Sequence, residues 1–122
     1  MINIANNFLK EMLIAYALQD EFCIDTYKKL SGVDASLENR IVCSAIINEA
    51  KKHDVKPIRA LSVAWAESRM TSQLKPTRSN CLGPLQIKIK YWCKEKSLYR
   101  CEPIPDGIKA LKYYIKNFKP IR

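Results

Sequence analysis

The sequence predicts a single domain that is mostly α-helical, and three observations support this. A chain of 122 residues is long enough to bury a core, and 48% of its residues are hydrophobic while only three are glycine. Apolar residues recur at helical spacing in several segments separated by turn-forming residues. No repeat or shift in composition marks a boundary. We therefore predict one domain at residues 1–122, with an N-terminal helical segment at 1–36 and a core at 37–122.

Three helices are predicted in the first half of the chain. An amphipathic helix covers Asn3–Glu21, and a second helical piece covers Cys23–Leu30. A third helix runs over Leu37–His53, and either Asp34 or Ser36 can cap its N-terminus, because short polar side chains accept hydrogen bonds from the first free backbone N–H groups.

The second half is predicted to contain three further elements. A helix covers Ile58–Met70, with a proline in its first turn. Leu85–Glu95 is predicted to be helical, although the alternation over Leu85–Ile89 also fits a short strand. Asp106 is a suitable N-cap for a last helix at Gly107–Phe118.

One carboxylate in this half is in an unexpected place. The helix at 58–70 is apolar on nearly all sides and is expected to be buried, and Glu67 lies on its small-residue side. Keeping a buried carboxylate ionised is unfavourable, so desolvation is expected to raise the pKa of Glu67, as a general acid working near neutrality requires. The alternative is an acid that forms a surface ion pair with Arg69.

A candidate partner for Glu67 follows 19 residues later, at Gln86 within Gly83–Ile87. A polar, turn-rich loop precedes this stretch, and such a loop can fold back over a helix end and bring Gln86 to face Glu67 across a groove. There the amide would bind substrate. The alternative is an amide that braces the loop.

These segments resemble the lytic transglycosylases, the soluble-transglycosylase-type branch of the lysozyme-like enzymes. The family signature is an ES dipeptide on a buried helix, a loop of small residues, and then GLMQI. Glu67-Ser68 and Gly83–Ile87 stand at these positions. The similarity extends upstream to residue 41 and downstream to residue 118. It implies a compact lysozyme-like fold.

The resemblance also implies an activity, which is cleavage of the MurNAc–GlcNAc β-1,4 bond of peptidoglycan with formation of 1,6-anhydroMurNAc. Glu67 would be the single general acid and base. Gln86, Ser68, Tyr16 and Tyr114 are the candidate substrate-binding residues. Tyr16 is included because the family's later Tyr-Asn motif has no counterpart after Tyr114, and the N-terminal helix is expected to bring Tyr16 to its place. No metal or organic cofactor is implied.

Two other functions remain open at this point. One is a hydrolytic lysozyme or chitinase on the same scaffold, which needs a second acid to position a water. The only other acid between residues 55 and 101 is Glu95, which lies in a lysine-rich stretch. The other is a non-catalytic protein that binds the cell wall or serves a structural role.

The distribution of charge along the chain indicates which kinds of molecule the protein could bind. The net charge is +9; residues 1–54 carry six basic and eight acidic residues, whereas residues 55–101 carry ten and two. A positive field in the second half would attract polyanions such as cell-wall polymers. Nucleic acid is a weaker alternative, because the basic and aromatic cluster in this region matches no binding motif. That cluster consists of Lys88, Lys90, Tyr91, Trp92, Lys94 and Lys96.

The resemblance, the lack of a membrane-spanning run and the lack of a visible signal peptide together indicate where the protein is expected to act. No apolar run reaches the length of a membrane span, and no signal peptide is visible. The resemblance implies glycan strands of peptidoglycan as the partner and action in the periplasm or cell wall. A phage virion, or a bacterial secretion or conjugation apparatus, would carry such an enzyme there.

The five cysteines, at positions 23, 43, 81, 93 and 101, form no C-x-x-C motif, and with a single histidine they argue against a zinc site. An odd number leaves at least one thiol unpaired. By resemblance to secreted relatives, the expected bridge joins Cys43 to Cys101.

Overall fold

The structure, a computed structural model, describes residues 2–93 and 101–118. Within these ranges it is compact and mostly helical, as predicted. None of the helices described is long and apolar enough to cross a membrane. The elements in chain order are α1 (Ile2–Ser31), α2 (Leu37–Lys52), α3 (Pro57–Ser68), β1 (Cys81–Leu82), β2 (Ile87–Lys88), α4 (Ile89–Trp92) and α5 (Pro103–Asn117).

Helix α1 is continuous over 30 residues, where two separate pieces were predicted. No glycine or proline interrupts the chain between them, so the helical hydrogen bonds continue. The helix ends at Gly32, which adopts a φ of 78° and donates its N–H to the carbonyl of Lys28 at 2.8 Å. Glycine adopts this left-handed conformation without a steric penalty.

The two halves of α1 differ in their surroundings. The second half packs against α2, where Gln19 binds the hydroxyl of Ser44 and Asp20 pairs with Arg40. The first half, residues 6–18, is exposed along its whole length, although its last seven residues are all apolar. We call residues 6–18 the N-terminal arm.

Helix α2 begins with a capping box. Of the two predicted caps, Ser36 is the one used: its hydroxyl accepts the N–H of Asn39 at 3.1 Å, and the Asn39 side chain accepts the N–H of Ser36 at 2.9 Å. Asn39 is buried and also donates to the carbonyl of Met70 at 3.0 Å. One side chain therefore caps α2 and ties it to the chain that leaves α3.

Helix α3 forms the centre of the core, although it is not buried on all sides. It begins with a proline as predicted and buries Ala60, Leu61 and Ala64 completely. The prediction of burial all round is wrong, because Ile58 is 57% exposed. The buried face packs on α2, whereas Ile58, Ser62 and Ala66 are exposed. The residues of α2 and α5 in the same cluster include Cys43, Ile46, Ala50 and Ile108.

The segment predicted as a helix at Leu85–Glu95 begins in a turn and continues as the second strand of a small antiparallel sheet. Strand β1 pairs with β2 in the register Cys81 to Lys88 and Leu82 to Ile87. The alternation over Leu85–Ile89 therefore indicates a strand, which was the alternative considered for this segment. Helix follows only as the short α4, and the last two residues of the predicted element lie outside the described part of the chain.

Helix α5 begins at Pro103, four residues before the predicted start at Gly107. Prolines are tolerated in a first helical turn, because the N–H groups there have no partner within the helix. Asp106 is therefore inside the helix, and the prediction that it is the N-cap is wrong. Glu102 is the N-cap, and the Asp106 carboxylate accepts its backbone N–H at 3.0 Å.

The disulfide prediction is wrong. Cys43 bonds to Cys23 and Cys101 bonds to Cys93, with Cα separations of 5.9 Å and 5.4 Å, while Cys81 stays a free thiol. Cys23 and Cys43 belong to the main core between α1 and α2. Cys93 and Cys101 belong to a separate apolar cluster beside the sheet, so Cys43 and Cys101 do not meet.

Candidate active site

A groove between α3, the turn after β1 and α5 contains both Glu67 and Gln86. Its volume is about 230 Å³. The two side chains line the same groove, as the composition of the loop predicts, although their roles remain predictions. The other lining residues are mainly apolar and aromatic: Val63, Leu85, Ile87, Lys88, Trp92, Gly107, Ala110, Leu111 and Tyr114.

Glu67 lies in the last turn of α3. Val63, one turn earlier, lines the same groove, because residues four apart lie on one face of a helix. The prediction that Glu67 is buried is wrong: its side chain is exposed. The groove between α3 and α5 is therefore open to solvent at Glu67.

The carboxylate of Glu67 is not used in a structural ion pair. The Arg69 guanidinium lies over the ring of Trp65, 4.8 Å from its centroid, and donates to the Trp65 carbonyl at 3.5 Å. Within residues 2–93 and 101–118, Glu67 forms no ion pair or hydrogen bond. The alternative of a surface ion pair with Arg69 is thus not what the structure has, and the carboxylate remains available to a ligand.

Gln86 has a structural role in addition to its place in the groove. It ends the turn between the strands with a φ of 53°, and both its backbone N–H and its Nε2 donate to the Gly83 carbonyl at 3.0 Å. The amide therefore braces the turn, which was the alternative considered for it. A side chain anchored in this way is held in one orientation beside Glu67.

Two glycines allow α5 to approach the turn and close the groove. Gly83 adopts a φ of 80°, and a Cβ atom there would lie 2.4 Å from the Cβ of Pro103. Gly107 faces Leu85, whose Cβ would be 3.3 Å from a Cβ at position 107. Larger side chains at these positions would push α5 away from the turn, so both glycines maintain the groove.

Ser68 does not line the groove. It is buried, its hydroxyl donates to the Ala64 carbonyl at 3.0 Å, and it accepts the N–H of Thr71 at 3.2 Å. These bonds do not indicate a substrate contact. They fit the other role that the resemblance implies for Ser68, which is to steady the end of α3 and the loop just after Glu67.

The two candidate tyrosines lie in different places. Tyr114 of α5 lines the groove with Glu67 and is 49% exposed. Tyr16 is 62% exposed and lines another groove, between α1 and α2, together with Asp20, Arg40 and Ile41. The prediction that Tyr16 reaches the site is wrong, because α1 packs on α2 and its arm is not folded over α3.

Sequence reasoning did not assign Trp92 and Lys88 to this site. Both line the groove, and Lys88 and Glu67 are its only charged lining residues among those described. The available signal was that Lys88 directly follows the Gln-Ile pair and that Trp92 lies one helical turn after Lys88. Glu95, the second acid considered, lies outside the described residues, so the groove as described offers one carboxylate.

One group of side chains has the spacing of metal ligands. Ligand atoms of Cys93, Cys101 and Asp106 lie within 4.8 Å of one another and are buried. The two sulfur atoms are bonded to each other, and the Asp106 carboxylate accepts the N–H of Glu102. These residues are thus engaged in structural contacts and are separate from the groove.

Comparison with known protein families, with curated proteins and with solved structures finds no match for this chain. The class of protein must be argued from the groove and from the motifs that line it.

Proposed function

We propose that this protein is a peptidoglycan lytic transglycosylase in which Glu67 serves as both acid and base. The observation that carries the proposal is the shared groove, where an unpaired carboxylate lies with an anchored amide between apolar and aromatic walls. The order of the motifs around Glu67 and Gln86 supports the same class. The proposed site of action is the cell wall, reached from a virion or a secretion or conjugation apparatus.

A single carboxylate is sufficient for this reaction. Protonated Glu67 would donate its proton to the glycosidic oxygen, the bond from that oxygen to the anomeric carbon of MurNAc would break, and the N-acetyl group would stabilise the oxocarbenium ion. The Glu67 carboxylate would then take the proton of the MurNAc 6-hydroxyl as its oxygen bonds to the anomeric carbon. Water is not consumed, so no second acid is needed to activate it.

The exposure of Glu67 imposes a condition on the proposal. A general acid must hold its proton near neutrality, and an exposed carboxylate is solvated in its charged form. A sugar lying between Trp92 and Tyr114 would exclude water from the groove, and this desolvation favours the protonated form. Binding of the glycan is thus expected to complete the site.

The test is product analysis on purified sacculi with the parent chain and Glu67→Gln. We expect the parent to release anhydro-ended muropeptides, detected by mass spectrometry. The variant should lose about 100-fold to 10,000-fold of the rate, as general acid–base catalysis contributes this much. Its thermal unfolding should not change, because Glu67 makes no contact that stabilises the described fold.

Glu21→Gln is the matched control, because Glu21 is an exposed acid on α1, away from the groove. This variant should release muropeptides from sacculi at the same rate as the parent chain. Unchanged release by Glu67→Gln would refute the assignment.

The exposure of Glu67 favours a non-catalytic wall-binding protein as the second candidate. Sacculi that bind the parent chain but release nothing would support it. Products with reducing ends would instead indicate a hydrolase, whose second acid would lie outside the described groove.

A further inference from the structure

A cluster of aromatic side chains lies on the surface beside the groove. The ring centroid of Tyr113 is 5.9 Å from that of Trp92, 5.8 Å from that of Tyr114 and 6.2 Å from that of Phe118. The ring centroids of Tyr114 and Phe118 are 5.5 Å apart. We call these four residues the aromatic platform.

Three of the four residues of the aromatic platform lie outside the core, while Trp92 is half-buried against the apolar cluster beside the sheet. Tyr113, Tyr114 and Phe118 are 50%, 49% and 63% exposed, and they contact one another while α5 buries Ile108 and Ala110 instead. Single exposed aromatic residues are common on protein surfaces, but contiguous apolar patches usually mark a site that binds something. The aromatic platform is therefore a candidate ligand-binding surface.

The position of the platform indicates which ligand it binds. Trp92 and Tyr114 belong both to the platform and to the wall of the groove, so the two surfaces are continuous. A polymer held with one bond beside Glu67 would pass over the platform with its next units. The C–H faces of pyranose rings are apolar while their edges carry hydroxyls, which suits contact with exposed aromatic faces.

Charge next to the platform favours an acidic polymer. Lys109 and Lys116 lie one helical turn from Tyr113 on α5, and Lys112 precedes it in the chain. Lys112 and Lys116 also line a neighbouring groove with Lys56 and Arg59. All three lysines of α5 are exposed, and Lys109 is also 4.0 Å from Asp106. Carboxylates on a glycan bound over Tyr113 would lie near these lysines.

Single-stranded nucleic acid also combines stacking rings with negative charge. The groove is less suited to it, because every backbone phosphate on a path continuous with the platform would pass the carboxylate of Glu67, and only Lys88 offsets that charge in the groove. The sugar backbone of peptidoglycan is uncharged and carries its carboxylates on stem peptides, so it avoids this repulsion.

We propose that the aromatic platform binds pyranose units of an acidic glycan, extending the groove with additional sugar sites along the α5 side. The identity of the bond cleaved in the groove rests on the proposed function. Binding at the platform does not require Glu67 to act. Long glycans should therefore bind more tightly than short ones, and the difference should depend on Tyr113.

The experiment measures affinity by calorimetry for the full chain carrying Glu67→Gln, so that nothing is cleaved. The probes are a GlcNAc dimer, a GlcNAc hexamer and a soluble uncrosslinked peptidoglycan fragment with its stem peptides. Adding Tyr113→Ala should weaken hexamer binding about 5-fold to 10-fold, the scale of one aromatic contact, and leave dimer binding unchanged. Tyr113→Phe should restore hexamer affinity, since it keeps the ring.

Lys112→Ala separates the contribution of charge to binding from that of the aromatic rings. It should weaken binding of the acidic peptidoglycan fragment but not of the neutral hexamer. Phe8→Ala is the matched control, because Phe8 is an equally exposed aromatic residue on the N-terminal arm. Phe118→Ala provides a second platform variant if Tyr113→Ala fails to fold.

Unchanged hexamer affinity in both Tyr113→Ala and Phe118→Ala would overturn the inference. Tighter binding of a single-stranded oligonucleotide than of the peptidoglycan fragment would overturn it in favour of nucleic acid. If the parent chain binds the hexamer through Tyr113 but releases nothing from sacculi, the platform stands while the proposed cleavage fails.

Discussion

At the level of single residues, two glycines in the same left-handed conformation have different roles. Gly32 has a φ of 78° and open space around it, whereas Gly83 has a φ of 80° and lies against Pro103. The first only ends a helix. The second sets the distance between the turn that carries Gln86 and the start of α5.

Gly83→Ala should therefore destabilise the protein more than Gly32→Ala. The left-handed conformation costs about 1–2 kcal/mol for an L-residue at either position. At position 83 the overlap with Pro103 adds about 1–3 kcal/mol. Urea unfolding of both variants measures the difference, and equal losses would show that the turn moves freely away from α5.

Asp20 is expected to make stability depend on pH. The hydrogen bonds from Arg40, at 3.0 Å from Nε and a second one from Nη2, lower the pKa of the Asp20 carboxyl; desolvation opposes this, and the positive charge of Arg40 adds to the lowering. A lowered folded-state pKa means that the contribution is present above the unfolded value of about 3.9 and disappears as the pH falls through the folded-state value.

Asp20→Asn should thus be less stable than the parent at neutral pH and equal to it in strong acid. Thermal unfolding from pH 2 to pH 7 tests this. Asp34→Asn is the control, because the side chain of Asp34 is 93% exposed and 3.4 Å from Lys28. A constant difference between Asp20→Asn and the parent at every pH would contradict the prediction.

At the level of elements, α2 organises the described fold. Its N-terminus is tied to the end of α3 through Asn39, and its middle is tied to α1 through Cys43. These links keep α3 in place, and the last turn of α3 presents Glu67. The Cys23–Cys43 disulfide is the only covalent bond between α1 and α2 in the described chain.

Replacing both Cys23 and Cys43 with alanine should lower the free energy of unfolding by about 3 kcal/mol, the loop-closure value for a separation of 20 residues. Cys81→Ala is the matched control and should change stability little, because this thiol is free and half-buried. Urea unfolding under non-reducing conditions measures both. Equal effects would show that the α1–α2 bridge does not stabilise the fold.

At the level of the whole molecule, the N-terminal arm is set apart from the groove. Its exposed apolar side chains contribute surface but little packing, whereas the rest of α1 is bonded to α2. The arm is therefore expected to unfold independently of the core.

A shortened chain that begins at Gln19 should lose no more than about 1 kcal/mol of stability, since surface residues contribute little. Its cleavage of sacculi should equal that of the parent, because Tyr16 lies outside the groove. Thermal unfolding and product release measure these two quantities. A loss as large as that of the disulfide variant would show that the arm packs on the core.

The local features of this protein could be predicted from its sequence. The helical periodicity placed α2 and α3 within two residues of their ends, and the polar loop predicted that Gln86 returns to Glu67. Both depend on interactions between residues close in the chain, such as the Ser36 cap and the Gly83–Gln86 turn. The start of α5 was missed because prolines can either end a segment or open a helix.

Which surfaces become buried, and which distant residues meet, was decided only by the tertiary structure. Periodicity shows that a face is apolar, but the exposure of Glu67 depends on which helices cover α3. Disulfide partners must bring their Cα atoms to within about 7 Å, a distance set by the packing of α2 on α1. For the same reason Cys43 meets Cys23, Tyr16 lies away from the groove, and Trp92 lines it.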